Sequence, residues 1–318
     1  TVSAHVSGME TIYWPGRQPA SDRCSVATLG VFDGVHRGHQ AVIGRVVENA
    51  RELDCRSTII TFDRNPGRVI HDVPKPSITS LEHRLHLFES LGVDLSVVLR
   101  FDSEVSDMAP REFVRKVFGD LVHARRLVLG FDCRFGKGRA GDVALCREMG
   151  PGMGFDVIEV APVEVEGKAV HSTRIREAIS DGRLEEAARL LGRPFSLYGT
   201  VVHGDSRGRD LGYPTANLDL HNELLPPDGV YAARACFEGS CRPAVLSIGR
   251  RSTFHHESGA EVAVEVHVMD YEGDLYGQSM EVRLVEHLRP QEVFEDAEAL
   301  IEQIDLDVRN ARRALAPA

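Results

Sequence analysis

Two histidines stand three residues apart in the segment TLGVFDGVHRGHQAVI, residues 28–43. The segment begins as an apolar strand, breaks at glycine and continues as a helix, which places His36 and His39 in the opening turn of that helix. Exposed N–H groups at a helix start favour anions, and imidazole donors held beside them suit a phosphate whose charge grows during in-line displacement. Gly34 and Gly38 leave room for a nucleotide to approach the backbone. The segment therefore predicts a nucleotide phosphate site.

Two other interpretations of the histidines stay open. They could cap the helix or lie on its surface, as isolated histidines commonly do. They could also form a metal site completed by Asp33, although only three ligand candidates are evident. The sequence contains no GxxxxGK[ST] motif, so the chain is not predicted to be a P-loop protein.

A second group of polar residues lies in the carboxyl-terminal half. The segment GDSRGRDLGYPTANL has no hydrophobic period and is predicted to be a loop that carries Thr215 and Asn217. In EVAVEVHVMD, valines alternate with other residues, which puts Glu265 in mid-strand on the face opposite the valines. Such a glutamate is usually solvated, and PTAN alone also fits a capped turn. A kinase would use the carboxylate as a base and the hydroxyl and amide oxygens for magnesium.

The first half of the chain must supply the sheet edge on which the histidines lie. Five apolar runs, SVATLGVF, STIITF, LSVVL, RLVLGF and FDVIEV, alternate with four helical patterns and predict a doubly wound parallel sheet. In the first helix the apolar residues share one face: Val42, Ile43, Val46, Val47 and Ala50. We expect ligands at the carboxyl ends of the strands, where such sheets bind them.

The second half changes to short strands, which predicts an antiparallel barrel: LYGTVVHG, GVYAARACF, PAVLSIG, EVAVEVHVMD and MEVRLVEHL. One or two polar connecting helices precede them. The tail has helical apolar spacing and is expected to pack against the barrel. Its apolar residues are Phe294, Leu300, Ile301, Ile304 and Val308. The expected fold is α/β plus β, with domains 1–186 and 187–318.

Composition limits the class of protein. The chain has 318 residues, enough for two domains, and its 48 acidic and 37 basic residues give a formal charge of −11. That charge disfavours nucleic acid and favours small-molecule substrates. The six cysteines include no CxxC pair, which predicts reduced thiols and no zinc site. Without a membrane helix or a leader pattern, the protein is expected in the cytoplasm with no membrane partner, and a homo-oligomer stays open.

The motif GxFDGxHxGH resembles the signature of the nucleotidyltransferase superfamily, which includes the class I aminoacyl-tRNA synthetases. Three later segments, ITSLEHRLHLFESLGVD, GFDCRFGKGRAGD and HSTRIREAI, resemble the adenylyltransferase half of the prokaryotic bifunctional riboflavin kinase/FMN adenylyltransferase family, also called FAD synthetase. The resemblance assigns ATP binding to Gly30, Phe32, Asp33, Gly34, His36, Gly38, His39, Ser172, Thr173 and Arg176. It assigns flavin binding in this domain to Asn65, Asp132 and Arg134.

The segments PTAN, PPDGVY, VEVHVMDYEGDLYG and EHLRPQEVFEDAEALIEQI are similar to the riboflavin kinase module of that family. The resemblance implies a flattened six-stranded barrel with Glu265 as base for the riboflavin 5′-hydroxyl. It places kinase ATP at Gly204, Gly212, Pro214, Thr215 and Asn217, with Mg2+ at Thr215 and Asn217. The implied enzyme converts riboflavin and ATP to FMN and ADP, then FMN and ATP to FAD and pyrophosphate, with Mg2+ in both reactions.

The sequence departs from the family pattern at four places. Arg64 and Asn65 stand where the family has proline and histidine, and His171 where it commonly has serine. Cys133 replaces an aromatic residue, and Ser252 replaces a proline. One rival function is therefore a riboflavin kinase whose first domain is inactive or uses another nucleotide or acceptor. Two more distant rivals are an enzyme that acts on tRNA and a non-catalytic flavin sensor. The tRNA enzyme is disfavoured because the sequence has no KMSKS-like lysine loop.

Overall fold

The computed structural model describes most of the chain. The described ranges are 8–64, 75–204, 212–251 and 261–316. Asn65, which was predicted to contact the flavin, and the segment Ser252-Thr253-Phe254 lie outside these ranges. Their predicted roles stay predictions.

Within these ranges the chain divides into two compact units. Residues up to Pro76 and Leu81–His171 form the first unit, and Ser77–Ser80 and the residues from Ser172 onward form the second. The connecting helices group with the second unit, so this division comes earlier in the chain than the domain boundary predicted after residue 186. That functional boundary stays a prediction.

A parallel sheet forms the centre of the first unit. Its strands in the described chain are β1 (Glu10–Trp14), β2 (Ser25–Leu29), β3 (Arg56–Phe62), β4 (Leu95–Leu99), β5 (Ala124–Gly130) and β6 (Asp156–Val160). They pair in the order β1-β4-β3-β2-β5-β6, and every pairing is parallel. All residues of β2, β3 and β4 are buried, which explains their continuous apolar and β-branched runs. The predicted parallel sheet is confirmed.

Strand β1 is the one that the sequence did not predict. It pairs with β4 at the edge of the sheet, with Glu10 opposite Leu95. In its sequence, ETIYW, only Ile12 is buried. An edge strand has one neighbour and buries little surface, so its residues carry little local signal.

Helices and short elements connect these strands. In the described residues they are α1 (Arg37–Glu52), α2 (Leu81–Ser90), α3 (Ser103–Ser106), α4 (Pro110–Phe113) with a π-helical continuation (Val114–Leu121), a 3₁₀ turn (Lys137–Arg139), α5 (Val143–Met153), β7 (Glu164–Val165) and β8 (Lys168–Ala169). The predicted face of α1 is confirmed, because all five of its apolar residues are buried. This face packs α1 onto the sheet and so fixes the position of its first turn.

The second unit consists of two connecting helices, a closed barrel and a terminal helix. Its described elements are α6 (Ser172–Ser180), α7 (Leu184–Leu191), β9 (Ser196–Val202), β10 (Ala216–Leu220), β11 (Gly229–Phe237), β12 (Ser240–Arg251), β13 (Glu261–Val268), β14 (Ser279–Arg289) and α8 (Ala297–Ala314). The strands close in the order β10-β13-β12-β11-β14-β9. The predicted antiparallel barrel is confirmed, as are the connecting helices.

Strand β10 corrects the prediction that PTAN is a loop. Ala216 and Asn217 begin this strand, and Asn217 pairs with Val202 of β9 on one side and with Glu265 of β13 on the other. The glycine-rich sequence before the strand has no hydrophobic period, so the sequence pattern does not indicate a strand here. Two neighbouring strands supply the hydrogen bonds that define it.

The terminal helix α8 packs against the barrel, as predicted. Its buried residue Ala311, and Leu315 just after it, lie in one apolar cluster with Ala232 of β11. The residues predicted from apolar spacing are half-buried. Asp307 is also buried, and its carboxylate pairs with Arg289 at 2.9 Å, which offsets the cost of removing the charge from water.

Four of the six cysteines form disulfides, so the prediction of reduced thiols was wrong. The pairs are Cys24–Cys55 and Cys236–Cys241. Cys24 and Cys55 directly precede the parallel neighbours β2 and β3, whose first residues are register partners. Cys236 and Cys241 are opposite each other in the hairpin of β11 and β12. Strand pairing creates both contacts, and spacing along the chain does not reveal them.

Candidate active sites

The strand order of the parallel sheet reverses beside β2. Its neighbours are β3, from which the chain continues to β4, and β5, from which it continues to β6 on the other side. Open parallel sheets bind ligands outside the carboxyl ends of the strands at such a reversal. The loop after β2 and the first turn of α1 carry the two predicted histidines, and the turn after β5 carries Asp132 and Arg134. The structure brings these two predicted segments to one end of the sheet.

His36 and His39 stack on each other at the start of α1. Their ring centroids are 3.6 Å apart and their planes are inclined by 19°. His36 is the N-cap of α1, and its Nδ1 accepts a hydrogen bond from the backbone N–H of His39 at 3.4 Å. A neutral imidazole that accepts at Nδ1 carries its proton at Nε2. The capping interpretation is confirmed for His36, and it is compatible with phosphate binding because the two roles use different nitrogens.

The loop between β2 and α1 has an unusual backbone. Phe32, Gly34 and Val35 have positive φ angles of 53°, 83° and 41°. For a β-branched valine this conformation costs on the order of 1–3 kcal/mol and persists only where neighbours hold the chain. Gln40 donates to the Val35 carbonyl at 2.8 Å, and the Phe32 ring packs edge-on against Phe88 of α2. These contacts hold the loop in one conformation beside the histidines.

Two glycines of the motif make room for neighbouring rings. A Cβ at Gly38 would lie 3.2 Å from Cε1 of His36, and a Cβ at Gly30 would lie 3.0 Å from the Phe32 ring. Gly38 was expected to leave space for a nucleotide, and in the structure the His36 ring lies against it. Asp33 is buried beside them at 5% exposure. The space beside Gly30 and Gly38 is thus taken by side chains of the motif itself.

The turn after β5 is polar and exposed. Asp132 and Arg134 are exposed, and Arg134 donates to the Cys133 carbonyl at 2.9 Å. Between them, the Cys133 thiol donates to the Leu29 carbonyl of β2 at 3.8 Å. Burial raises the pKa of Cys133 to about 12, so the thiol stays protonated near neutral pH and is a poor nucleophile. Arg134 is the group of this turn suited to an anionic substrate.

The predicted residues Ser172, Thr173 and Arg176 begin helix α6 in the second unit. Thr173 is exposed, and the other two are half-buried. An ion pair of 2.9 Å between Arg174 and Glu186 links α6 to α7, and the hydrogen bond from Arg174 lowers the pKa of Glu186. The role of the three predicted residues in ATP binding stays a prediction.

In the barrel, three polar residues form a row across adjacent strands. Asn217 of β10 and Ser247 of β12 are both register partners of Glu265 on β13, the strand between them. Directly opposed residues project to the same face of a sheet. Val264 and Val266, on either side of the glutamate, are buried, so the row lies on the face opposite the barrel core. The predicted alternation of β13 is confirmed, and the structure brings Asn217 and Glu265 together.

A cavity of about 420 Å³ opens on this row. Asp228, Ser247, Glu265 and Gln291 are among its lining residues. Gln291 donates to the Ser247 hydroxyl at 2.9 Å and to the Ile248 carbonyl at 3.0 Å. It thereby fixes the segment after β14 as one wall of the cavity. The volume is in the range of small-molecule sites, and the carboxylate of Glu265 lines it.

Two contacts hold the segment just before β10, one to helix α8 and one to strand β13. The hydroxyl of Tyr213 donates to Asp305 of α8, and this hydrogen bond raises the pKa of the tyrosine. His267 lies two residues after Glu265 on β13, and its Nδ1 is 2.9 Å from the carbonyl of Pro214, which can only accept. These contacts fix the path of the chain at Tyr213 and Pro214.

Two predicted glycines border the same segment. A Cβ at Gly204 would overlap the side-chain amide of Asn217, so only glycine leaves that amide its space. Gly212 has a φ of +84°, a conformation that favours glycine. Thr215 is half-buried, like Asn217, and follows Pro214 directly. Of the predicted kinase residues, Gly204 lies against the side chain of Asn217 and Glu265 is its register partner.

Comparison with known proteins gives one family for both sites. The FAD synthetase family model matches residues 18–174, and the riboflavin kinase family model matches residues 191–315. Relatives named bifunctional riboflavin kinase/FMN adenylyltransferase from Listeria monocytogenes, Pseudomonas fluorescens and Escherichia coli are 36%, 36% and 35% identical to this chain. The alignments cover 92%, 93% and 90% of this chain and 93%, 94% and 91% of the relatives. The chain belongs to the bifunctional riboflavin kinase/FMN adenylyltransferase family.

A solved structure resembles this family member over almost its whole length. It is named a macrolide-efflux protein from Streptococcus pneumoniae, and it superposes with a TM-score of 0.77 at 31% identity. The match covers 95% of this chain and 98% of that one. Separately, no helix in the described part of this chain is long and apolar enough to cross a membrane.

Sequence reasoning missed several residues of the kinase-like cavity. Asp228 stands in PPDGVY, a segment that the family resemblance covered without assigning a role to the aspartate. Gln291 stands in EHLRPQEVF, which the resemblance also covered without assigning it a role, and Ser247 is a serine in an ordinary strand. Only the register of β12 with β13 and the hydrogen bonds of Gln291 place them beside Glu265.

Proposed function

We propose that this chain phosphorylates riboflavin to FMN in its barrel and adenylylates FMN to FAD in its parallel-sheet domain, with ATP as co-substrate of both reactions. The observation that carries the proposal is that two family models match one chain, one over each candidate site. The chain is thus a transferase of flavin cofactor biosynthesis. The proposed functional domains are residues 1–186 and 187–318.

In the kinase reaction, Glu265 is the general base. The 5′-hydroxyl of riboflavin is a poor nucleophile until its proton is removed, and a carboxylate within hydrogen-bond reach can accept that proton as the oxygen attacks the γ-phosphate. Support comes from the position of Glu265 on the wall of a cavity beside Asn217. Gly204, Gly212, Pro214, Thr215 and Asn217 form the proposed ATP surface.

The side chains beside Glu265 fit a magnesium ion that arrives with ATP. Within the described ranges no cluster of three His, Cys, Asp or Glu residues could hold a metal. Thr215 and Asn217 offer neutral oxygen ligands, and Mg2+ commonly completes its shell with phosphate oxygens and water. When bound, the ion neutralises phosphate charge, and Thr215 and Asn217 would hold it. Asn217 is well defined for this role because Gly204 and strand pairing fix its side chain and backbone.

In the adenylyl reaction, the nucleophile needs no base. A phosphate monoester has a second pKa of about 6, so the attacking oxygen of FMN is already ionised near neutral pH. The site must instead stabilise negative charge on the ATP phosphates as pyrophosphate leaves. A neutral His36 that accepts at Nδ1 is a donor at Nε2, His39 stacks on it, and the start of α1 adds partial positive charge. We assign both histidines as donors to the phosphates and Arg134 as a contact for FMN.

The proposal concerns small molecules and assigns no nucleic-acid substrate, in keeping with the formal charge of −11. We place both reactions in the cytoplasm, as expected from the sequence. The rival function, a riboflavin kinase with an inactive first domain, rests on Arg64 and Asn65, and Asn65 lies outside the described residues.

One incubation tests the function. The purified chain is mixed with riboflavin, ATP and Mg2+, and flavins are separated by chromatography over time. FMN should appear first and FAD should follow, and a parallel incubation with FMN should give FAD without a lag. FMN as the end product would support the rival function, and unchanged riboflavin would contradict both. Removal of Mg2+ with a chelator should stop both reactions.

A further inference from the structure

A buried arginine connects the loop that carries the histidines with the end of a neighbouring strand. Arg84, on helix α2, is 4% exposed. Its guanidinium donates to the Val31 carbonyl at 2.5 Å, to the Thr61 hydroxyl at 2.9 Å and to the Phe62 carbonyl at 3.0 Å. Val31 follows β2, whereas Thr61 and Phe62 end β3. One side chain thus binds both strand ends at the edge where ligands are expected.

A guanidinium is suited to this position. It presents several N–H donors in a fixed plane, so it can satisfy acceptors on two strands at once, whereas a lysine ammonium is a single point. Burial lowers the pKa of Arg84, and the carboxylates of Asp33, Glu82 and Asp63 oppose that shift. Two of these carboxylates also lie at the strand ends. The buried charge is therefore compensated by the same loops that it connects.

The bond to Val31 acts on the strained part of the chain. Val31 immediately precedes Phe32, the first of the three residues with positive φ. The other side of the loop is held by Gln40, which binds the Val35 carbonyl. Such a backbone keeps its shape only while contacts on both sides restrain it. Without Arg84, the Val31 carbonyl keeps the longer hydrogen bond from the Thr61 hydroxyl, at 3.3 Å, but loses the guanidinium that also binds the Phe62 carbonyl.

We propose that Arg84 is a positioning residue for adenylyl transfer: it holds the loop from Val31 to Val35 so that His36 and His39 keep the stacked geometry needed at the ATP phosphates. This inference rests on the proposed adenylyltransferase function of the first domain. Arg84 acts through the loop and does not itself contact the reacting atoms. Its loss should therefore lower kcat more than it raises KM, because misplaced donors fail mainly in the transition state.

The test compares Arg84→Met and Arg84→Lys with a control arginine. Arg126 binds Asp156 and Asn49 at the opposite, amino end of the same sheet, so Arg126→Met removes a structural arginine far from the loop. For Arg84→Met we expect the kcat of FAD formation from FMN to fall at least tenfold, with KM values within about threefold. Arg84→Lys should give an intermediate rate. Arg126→Met should keep the parent kcat, and all variants should keep the riboflavin kinase rate.

Hydrogen–deuterium exchange supplies a second readout that does not depend on activity. Peptides covering residues 28–43 should exchange faster in Arg84→Met than in the parent, and at the parent rate in Arg126→Met. If Arg84→Met does not fold, Arg84→Lys carries the test, since its ammonium cannot reach all three acceptors and its kcat must still fall.

Several results would overturn the role of Arg84. These are an unchanged kcat in both Arg84 variants, an equal loss in Arg126→Met, or unchanged exchange of residues 28–43. A parent enzyme that makes FMN but no FAD contradicts the proposed adenylyltransferase function itself, and Arg84 loses its role with it. That failure is visible in the parent alone, before any variant is compared.

Discussion

The two candidate sites are assembled in different ways. The phosphate-binding part proposed for the first is one continuous stretch, Gly30–His39, in which a strand end, a strained loop and a helix start bring the motif residues together. The second depends on three strands, and Asn217, Ser247 and Glu265 meet only through their register. A contiguous site is sensitive to the local backbone. A site built from strand register is sensitive to the contacts that hold the strands and their side chains in place, such as the space that Gly204 leaves for Asn217.

The two sites also differ in the chemical groups that they offer. The barrel needs a base for an alcohol, and it offers a carboxylate on the wall of a cavity. The sheet edge needs donors for phosphate charge, and it offers imidazoles at a helix start. Since the described site residues are not shared, a substitution in one site should change one activity and leave the other as an internal reference.

The largest effect is expected at Glu265. Glu265→Gln keeps the shape and a hydrogen-bonding group but removes the proton acceptor, so the kcat of FMN formation should fall by ~10²–10⁴-fold. Riboflavin and ATP should bind almost as in the parent, because a base acts mainly in the transition state. FAD formation from supplied FMN should be unchanged. Steady-state kinetics of both reactions check this.

Glu286→Gln is the matched control for this change, since Glu286 is an exposed glutamate on β14 of the same barrel. It should leave both activities at the parent rate. If Glu265→Gln also phosphorylates riboflavin at the parent rate, Glu265 is a solvated strand residue. The row of Asn217, Ser247 and Glu265 is then not the kinase site.

The next effect is expected at His36. His36→Ala should lower the kcat of FAD formation by ~10²–10³-fold, the usual loss when one transition-state donor is removed. It should also cost about 1 kcal/mol of stability, because the helix loses its N-cap. Riboflavin phosphorylation should be intact. Kinetics and thermal unfolding measure the two effects separately.

His36→Asn separates capping from chemistry. Asparagine is a strong N-cap, so this variant should recover most of the melting temperature while FAD formation stays low. Recovery of FAD formation together with stability would mean that His36 only caps α1.

A smaller effect is expected at Gly204. A methyl group there would overlap the amide of Asn217, so Gly204→Ala should displace a proposed ATP contact and lower kcat/KM for riboflavin phosphorylation about tenfold, mainly through the KM for ATP. Gly44→Ala is the control, because a Cβ at Gly44 meets nothing within 4 Å. Equal kinase kinetics for Gly204→Ala and the parent would show that Asn217 does not need its present position.

The smallest effect concerns a pair away from both sites. Arg126 binds both carboxylate oxygens of Asp156 at 2.6 Å, and this hydrogen bonding lowers the pKa of Asp156. A lowered pKa in the folded state stabilises the protein above the ordinary aspartate pKa, and that contribution is lost as pH falls through the lowered value. Because the Asp156 side chain is 59% exposed, Asp156→Asn should cost less than about 1 kcal/mol at neutral pH.

The difference in melting temperature between the parent and Asp156→Asn should begin to shrink below about pH 4, where the unfolded chain takes up the proton, and should vanish as pH falls through the lowered pKa of the folded state. Asp120→Asn, at an exposed position of the same unit, is the control and should melt within about a degree or two of the parent at neutral pH. Neither substitution should change FAD or FMN formation. A change in either activity would mean that the amino end of the sheet communicates with its carboxyl edge.

Sequence predicted the parts of each site that depend on near neighbours. The five buried apolar residues of α1 follow from helical spacing, and the face of Glu265 follows from strand alternation. The histidine motif was found because its loop, cap and helix are adjacent in the chain. Local spacing constrains these features directly, since backbone geometry fixes which residues share a face.

Partners distant in the chain were not predicted. Strand β1 lies at the edge of the sheet with only Ile12 buried, so it was not recognised without its partner β4. Asn217 was assigned to a loop although two strands pair with it. The cysteines were expected to be reduced because no spacing reveals that Cys24 and Cys55 precede paired strands.

The sequence by itself determined the two kinds of domain, the position of both histidines at a helix start and the exposed face of β13. Tertiary structure alone decided that Asn217 and Ser247 flank Glu265, and that Arg84 binds the loop before His36. Periodicity reports which side of an element is buried. It carries no information on which element lies opposite, because pairing and packing depend on residues far apart in the chain and are decided only when the whole core forms.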